Sequence, residues 1–373
     1  MLHVLAGVFG AGLIALMLVE FFLTYLLPRR VKRDPRVARQ LYRLAWKPWR
    51  ALAGRLPGPT ADTMLGIFGP LGLVGVLGVW VVGLILGFAA LYWSTRATLL
   101  PGVAHDFWDD LTYSGATFFS TSSGLGLRGG NGRVLSIVEA ASGFGVFFIA
   151  IGYLPSLYQS FSRREVAVSQ LDPMAGSPPT AQALLLSPAG RGGWNELEDY
   201  LKEWEGWAAE LMETHLSYPI LAYFRSQHVN QNWLAALTTV LDTCAMAISA
   251  RPSAETHPAH LAFAIGRHAL SDIALINGAP AMPPESDRLP PEDFALLCRR
   301  LEEAGMPVEE DHDVVRARLD HRRATYEPRA VALSRTLALA LPAWLPEEEA
   351  QPNWRRAALS AGDARSRRGG GLD

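Results

Sequence analysis

The chain is short of cysteine: only Cys244 and Cys298 occur in 373 residues. Both follow the last long apolar stretch, on the side assigned below to a reducing compartment. That rules out a disulfide framework, and their spacing matches no metal site. Also missing are a Gly-rich phosphate loop, a nucleophile elbow and a paired catalytic carboxylate signal. Without an acid, base and nucleophile to assemble, the chain does not read as an enzyme. The C-terminal half lacks the strand-helix alternation and dinucleotide fingerprint of a doubly wound domain. His257, His260 and His268, and the later Asp311-His312-Asp313, fit no zinc spacing and read as surface groups. No cofactor, no metal and no nucleic-acid partner is expected.

Charge is scarce in three places, and its distribution is more telling than its sum. A net charge of -2 and 49% hydrophobic residues would suit a soluble protein. Yet Leu2 to Leu27 carries only His3 and Glu20 as ionisable groups, and Met64 to Tyr92 carries none. Both exceed the roughly 20 residues that cross a bilayer. A third stretch, Val134 to Phe161, is interrupted by Glu139 alone. The first stretch has neither a positive leader nor a small-residue cleavage site, so it is expected to stay as a span.

Between Pro28 and Pro59 stand ten Lys and Arg against one acid, Asp34. The positive-inside rule puts this segment in the cytoplasm and the N-terminus outside, in a multi-pass protein of the inner (plasma) membrane. The third span then ends at Arg163-Arg164 on the cytoplasmic side. Glu20 is expected to pair with Arg29 or Arg30. Within the basic segment Val37, Leu41, Leu44, Ala45 and Leu52 recur at helical spacing beside Trp46 and Trp49, which predicts a helix in the headgroup region.

Six parts are predicted: a first transmembrane helix over 1–28, a basic interfacial segment over 29–60, a re-entrant domain over 61–165, a linker over 166–193, a helical cytoplasmic domain over 194–345 and a disordered tail over 346–373. Asp172-Pro173, Ser177-Pro178-Pro179 and Ser187-Pro188 mark the linker. The cytoplasmic helices are expected at 194–212, 215–249, 258–276, 292–304, 314–326 and, after a break at Pro328, 331–341. Trp194, Trp204, Trp207 and Trp233 read as core or subunit-contact residues rather than a ligand cage. The ligand of this domain is not legible.

Between the second and third spans a short aromatic segment, Phe107 to Phe119, leads into Ser120-Thr121-Ser122-Ser123-Gly124-Leu125-Gly126. Non-helical backbone at membrane depth persists only where protein buries it or where it lines a water-filled path. A short helix, a polar glycine-containing strand and a return to a long apolar helix meet that condition when several chains surround one axis. Carbonyls and hydroxyls of Thr121 to Gly126 would then face a dehydrating ion. Asp109 and Asp110 sit where negative charge suits the start of the short helix. Glu139 needs partners inside the membrane, expected to be Thr117 or Ser120 behind the strand. Gly143, Gly145, Gly152 and Pro155 mark places for close packing, or a bend and an inner gate.

Tyr113-Ser114-Gly115-Ala116-Thr117-Phe118-Phe119, Gly132-Arg133-Val134-Leu135 with Glu139-Ala140, and Gly152-Tyr153-Leu154-Pro155 through Phe161-Ser162-Arg163-Arg164-Glu165 resemble bacterial two-span potassium-channel-like proteins. In that family a pore helix and a T-x-G-Y-G-D type filter precede the pore-lining helix. The resemblance covers 107 to about 179 and implies a homotetramer in the bilayer, with potassium as the permeant ion. Two registers remain open. One sets Gly124-Leu125-Gly126 on G-Y-G with Ser122 as the filter threonine; the other sets Ser120 to Leu125 there. In both the filter aspartate is replaced by leucine, at Leu127 or Leu125. The regulatory nucleotide domain common among such channels is absent from the pattern.

The fold expected is therefore an all-α membrane protein, a pore-loop channel with an extra N-terminal span and a helical cytoplasmic domain. The rival expectation is a non-conducting membrane-anchored sensor acting through that domain.

Overall fold

A computed structural model describes residues 1–25, 37–96, 106–121, 130–188, 192–228, 230–251 and 256–346. Among these residues the secondary structure is helical, with no strand. The chain divides into two compact units, Met1–Gln159 and Ser160–Asp373.

The first unit holds α1 (Leu2–Tyr25), α2 (Val37–Ala53), α3 (Gly58–Thr95), α4 (Phe107–Phe118) and the opening of α5 (Gly130–Ala175). Helix α3 begins after an extended Pro57, with Pro59 in its first turn, where a missing N–H costs nothing. It ends at Arg96 in the left-handed conformation, whose N–H bonds to the Tyr92 carbonyl. Helices α1 and α3 meet through glycine. A Cβ on Gly10 would stand 2.6 Å from the Gly87 carbonyl oxygen, and one on Gly87 would stand 2.7 Å from Ile14 Cγ1. Gly83, one turn away, leaves the same room for Met17. In lipid, where apolar surface gains nothing by leaving water, this backbone proximity supplies the dispersion contact that joins helices.

Helix α2 has the amphipathic pattern that its spacing predicted. Its buried edge reaches α3: Trp46 packs on Phe68 at 4.7 Å between ring centroids, and Trp49 Nε1 donates to the Met64 carbonyl at 2.9 Å. Leu44 and Leu52 stay exposed on the other edge. Met17, Phe21, Val76, Trp80, Leu84 and Phe88 form the middle of the unit's core, which Tyr92, Tyr113, Phe118 and Val146 extend toward α4 and α5.

The second unit begins with the end of α5 and continues through α6 (Ala181–Leu186), α7 (Trp194–Ser217), a 3₁₀ turn at Pro219–Tyr223, α8 (Trp233–Ala250), α9 (His257–Asn277), α10 (Pro291–Glu303) and α11 (His312–Leu337). Every residue of α8 is buried. Helices α6, α7, α9 and α11 pack around it. The close crossing of α8 and α9 is made at Gly266, where a Cβ would meet Leu241 Cδ2 at 3.1 Å.

A chain of ion pairs closes one side of this bundle. Arg288 Nη2 lies 2.6 Å from Asp242 Oδ2, and its Nη1 lies 3.1 Å from Glu327 Oε1. Arg323 joins Glu327 at 3.1 Å and Asp287 at 2.5 Å, and the Tyr326 hydroxyl donates to Asp242 Oδ1 at 2.5 Å.

Several expected boundaries move. The expected linker contains the last turns of α5, which runs through Asp172 and Pro173, and α6, whose Ala181, Leu184 and Leu185 are buried. The stretch 215–249 is divided between α7, the 3₁₀ turn and α8, because Pro219 interrupts the ladder. Pro328 does not break α11. Its flanking Tyr326, Glu327, Ala330 and Val331 are buried, and its carbonyl accepts from Met282 N at 3.0 Å. That packing offsets the roughly 3 kcal/mol that an interior proline costs.

Four helices are long and apolar enough to cross a membrane: α1, α3, α5 and, beyond the three expected, α8. They differ in what covers them. α8 is 100% buried within its own unit, whereas the most apolar stretches of α1 and α5 are 11% and 17% buried. An apolar helix enclosed by other helices of its unit is a core helix; one left bare needs lipid or another chain. The expected tail lies outside the described residues from 347 onward, as do Arg29 and Arg30, the expected partners of Glu20.

Candidate functional site

The site begins with how α4 is started. The Asp106 carboxylate accepts from the N–H groups of Trp108 (2.8 Å) and Asp109 (3.2 Å), while the Asp109 carboxylate accepts from Asp106 N (3.2 Å). This reciprocal capping box satisfies orphan donors and places negative charge at the positive end of the helix. Asp109 thus belongs to the cap, and Asp110, next to it, is fully buried. The two acids do not form one solvated cluster.

The other end of α4 closes tightly. Phe119 N bonds to the Gly115 carbonyl, Ser120 N to Thr117 and Thr121 N to Ala116 at 2.7 Å, with Ser120 at a φ of 55°. The six-to-one bond from Thr121 to Ala116 turns the chain sharply after one left-handed residue. Thr121 Oγ1 doubles that bond to Ala116 at 3.2 Å. Thr121 is the last described residue before the polar run. Ser122, Ser123, Gly124, Leu125 and Gly126 lie outside the described residues, and with them the choice of register.

Between its ends α4 is fixed by buried polar contacts. The Tyr92 hydroxyl of α3 donates to Glu139 Oε2 of α5 at 2.8 Å. The Ser114 hydroxyl of α4 touches the other Glu139 oxygen and the Ile85 carbonyl, the latter at 2.8 Å. Tyr113 OH donates to Ser136 at 3.2 Å, and its ring meets Tyr92 edge-on at 5.1 Å. Glu139 and Ser114 have no exposed surface. One carboxyl group therefore ties three helices together, at a depth where an unmade hydrogen bond is expensive.

The expected partners of Glu139 are corrected by this geometry. They are Tyr92 and Ser114, not Thr117 or Ser120. Thr117 faces Ser120 through its backbone carbonyl, and Ser120 is exposed. Tyr92 escaped sequence reasoning because it closes an apolar span and looks like an interfacial aromatic. Ser114 escaped because a serine in a short aromatic helix has no distinctive spacing. The signal available was the single acid of the third span, which required donors on neighbouring helices.

Of the four residues placed at a bend, Gly143 alone makes a close approach. A Cβ there would collide with the Phe118 carbonyl oxygen, whereas Gly145 and Gly152 have nothing within 4 Å. Helix α5 continues unbroken through Gly152 and Pro155.

In the second unit, His215 is wholly buried between Arg164 and the backbone. Its Nδ1 lies 2.8 Å from the Leu211 carbonyl and its Nε2 lies 3.4 Å from Arg164 Nη1. Burial, reinforced by the Arg164 charge, lowers its pKa to about 3, which keeps the ring neutral. Arg164 also donates to the carbonyls of Leu221 and Phe224, both at 2.8 Å. His268 pairs with Asp272 and His312 with Glu302, while Asp311 caps α11 by accepting from Val314 N. No group of three metal-ligating side chains occurs among the described residues.

The chain matches no protein-family model, no curated protein and no solved structure.

Proposed function

We propose that the chain is one subunit of a homo-oligomeric pore-loop ion channel, assembled as a tetramer in the inner membrane and conducting cations through a potassium-channel-like pore. The observation that carries this reading is the anchorage of α4. A 12-residue helix stands between two long apolar helices, bound through Ser114 to Glu139 of α5 and to the Ile85 carbonyl of α3, and its C-terminal end leads into the polar run. A short helix fixed in this way suits a pore helix, whose negative C-terminal end favours a cation. One such segment per chain encloses no axis, so several chains must surround it. The bare apolar stretch of α5 supports that need, since it offers a face for a neighbouring subunit as well as for lipid.

Ions would cross by exchanging water for oxygens of Thr121 to Gly126, and the inner half of α5, with Gly152 and Pro155, would form the gate. The basic segment holds the N-terminus outside and the second unit in the cytoplasm.

Ion flux from liposomes holding the purified protein tests this under separate potassium, sodium and chloride gradients, with Gly124→Val as the control. Cation flux that the substitution abolishes is the expected result. Flux that Gly124→Val leaves intact, or no flux under any gradient, overturns it.

A further inference from the structure

Helices α9 and α11 pack together in the second unit, and two contacts fix their alignment. The Phe263 ring meets Tyr326 edge-on at 5.8 Å between centroids. One turn earlier on each helix stand His260 and Arg322. Burial lowers the pKa of His260, and the charges of Arg322 and then His257 lower it further. One turn later, Arg267 and Arg329 take the matching positions by the same spacing.

The two edges of α11 treat charge differently. Arg316, Asp320, Arg323 and Glu327 recur at i, i+4, i+7 and i+11, and every member of that row is ion-paired. Arg318, Arg322, Thr325 and Arg329 recur at the same spacing along another edge, with no acid among them. Arg318 pairs with Glu309. Arg322 donates to the Ser249 hydroxyl at 3.3 Å and to the Arg318 carbonyl at 3.2 Å, and Arg329 donates to the Thr325 carbonyl at 3.3 Å. Among the described residues neither has an ion pair, and nor do His257, His260 or Arg267. The acids nearest in sequence are taken: Asp272 of α9 pairs with His268, and Glu198, which accepts from Ala259 N, is held by Arg251.

This edge is open to a ligand. His257, His260 and Arg267 are exposed, and Arg322 is partly so. Cations gathered without a counter-charge repel one another: burial, and then Arg318, lowers the pKa of Arg322. A bound anion relieves that repulsion. A guanidinium has five donors and accepts nothing, so the ligand must be rich in acceptors. The two oxygens of a carboxylate are satisfied by a single guanidinium fork, whereas a phosphoryl group brings three oxygens and answers several donors at once. We propose that the edge between α9 and α11 binds a phosphoryl group, held by Arg322 and His260, with His257, Arg267 and Arg329 around it. Two sources carry this chemistry, a soluble phosphate ester and the phosphomonoester headgroup of phosphatidic acid. Neither rests on the channel reading.

The test is calorimetric titration of the full chain in maltoside micelles with sodium pyrophosphate, at an ionic strength held constant with sodium chloride. The expected result is saturable binding that inorganic phosphate competes away. Arg322→Gln should weaken it by about 10- to 100-fold, the size of hydrogen bonds to a charged group, and His260→Gln by about 2- to 10-fold. Arg335→Gln, on α11 outside this edge and paired with Glu285, should leave it unchanged. Pyrophosphate should also raise the unfolding temperature of the wild-type chain and not that of Arg322→Gln. Because His260 is exposed, His260→Gln reads the site even where Arg322→Gln fails to fold.

A second arm repeats the titration in nanodiscs of phosphatidylcholine with and without phosphatidic acid. Pyrophosphate binding that persists in both assigns the soluble ester; binding lost only where phosphatidic acid is present assigns the headgroup. No saturable binding in micelles and in phosphatidylcholine nanodiscs, or binding that both Arg322→Gln and His260→Gln leave unchanged, overturns the proposal. Because the readout is binding, a chain that conducts no ion leaves this outcome untouched.

Discussion

Gly143 of α5 sits directly on the Phe118 carbonyl oxygen of α4, with no room between them for a side chain. The contact fixes how closely the long helix can approach the end of the short one. Gly143→Ala must push the two apart, and a cost of about 1–3 kcal/mol is expected from overpacking at such a site. Thermal unfolding in detergent should show the loss, while Gly152→Ala, with open space around its Cβ, should leave the transition in place or raise it. Equal unfolding temperatures for the two variants would sink this account.

Tyr92→Phe removes the donor to Glu139 Oε2 and little else. The buried carboxyl group then lacks one partner, at an expected cost of about 1–3 kcal/mol. Thr117→Val makes the contrast, since the Thr117 side chain takes no part in that cluster, and it should change stability by less than about 0.5 kcal/mol. Chemical unfolding of both variants measures the difference.

His215 makes the second unit sensitive to acid. Its pKa is held near 3 in the folded state, against an ordinary value of about 6.5 when unfolded. The unfolded chain therefore binds the proton first. Stability is full above about pH 6.5, falls as the pH drops toward 3 and levels off below that, with a total change of a few kcal/mol. Unfolding curves between pH 4 and 7.5 should slope accordingly, and His215→Gln should flatten the slope. A slope that survives the substitution would assign the effect to other groups.

Arg288 carries the opposite lesson about charge. It answers both Asp242 and Glu327, and Asp242 has no exposed surface. Arg288→Met strands a buried carboxylate, for which about 3–5 kcal/mol is expected. The double variant with Asp242→Asn should recover part of that loss, and denaturant midpoints of the single and double variants decide the matter.

The sequence carried the helical class, the three apolar spans and the amphipathic α2 with little ambiguity, because each rests on length or on spacing over many residues. Helices α9 and α10 were legible for the same reason. What stayed hidden depended on contacts between distant positions. Nothing local to Pro328 foretells that α11 passes through it, since the compensation comes from burial of Tyr326, Val331 and their neighbours. Helix α8 reads like a membrane span because its apolar character runs all round, and only its enclosure by α6, α7, α9 and α11 makes it a core. The site was half legible: Glu139 announced itself as a lone acid, while its partners Tyr92 and Ser114 are 47 and 25 positions away and follow no pattern.

The glycine seam between α1 and α3 gives the first helix a separate identity. Gly10, Gly83 and Gly87 make the pairing a matter of shape, with no covalent or charged link needed to set it. Helix α3 is in that sense a receptor and α1 its ligand. A chain lacking Leu2–Tyr25 should accept the same sequence supplied as a separate peptide, and a peptide carrying Gly10→Leu should fail to complement it.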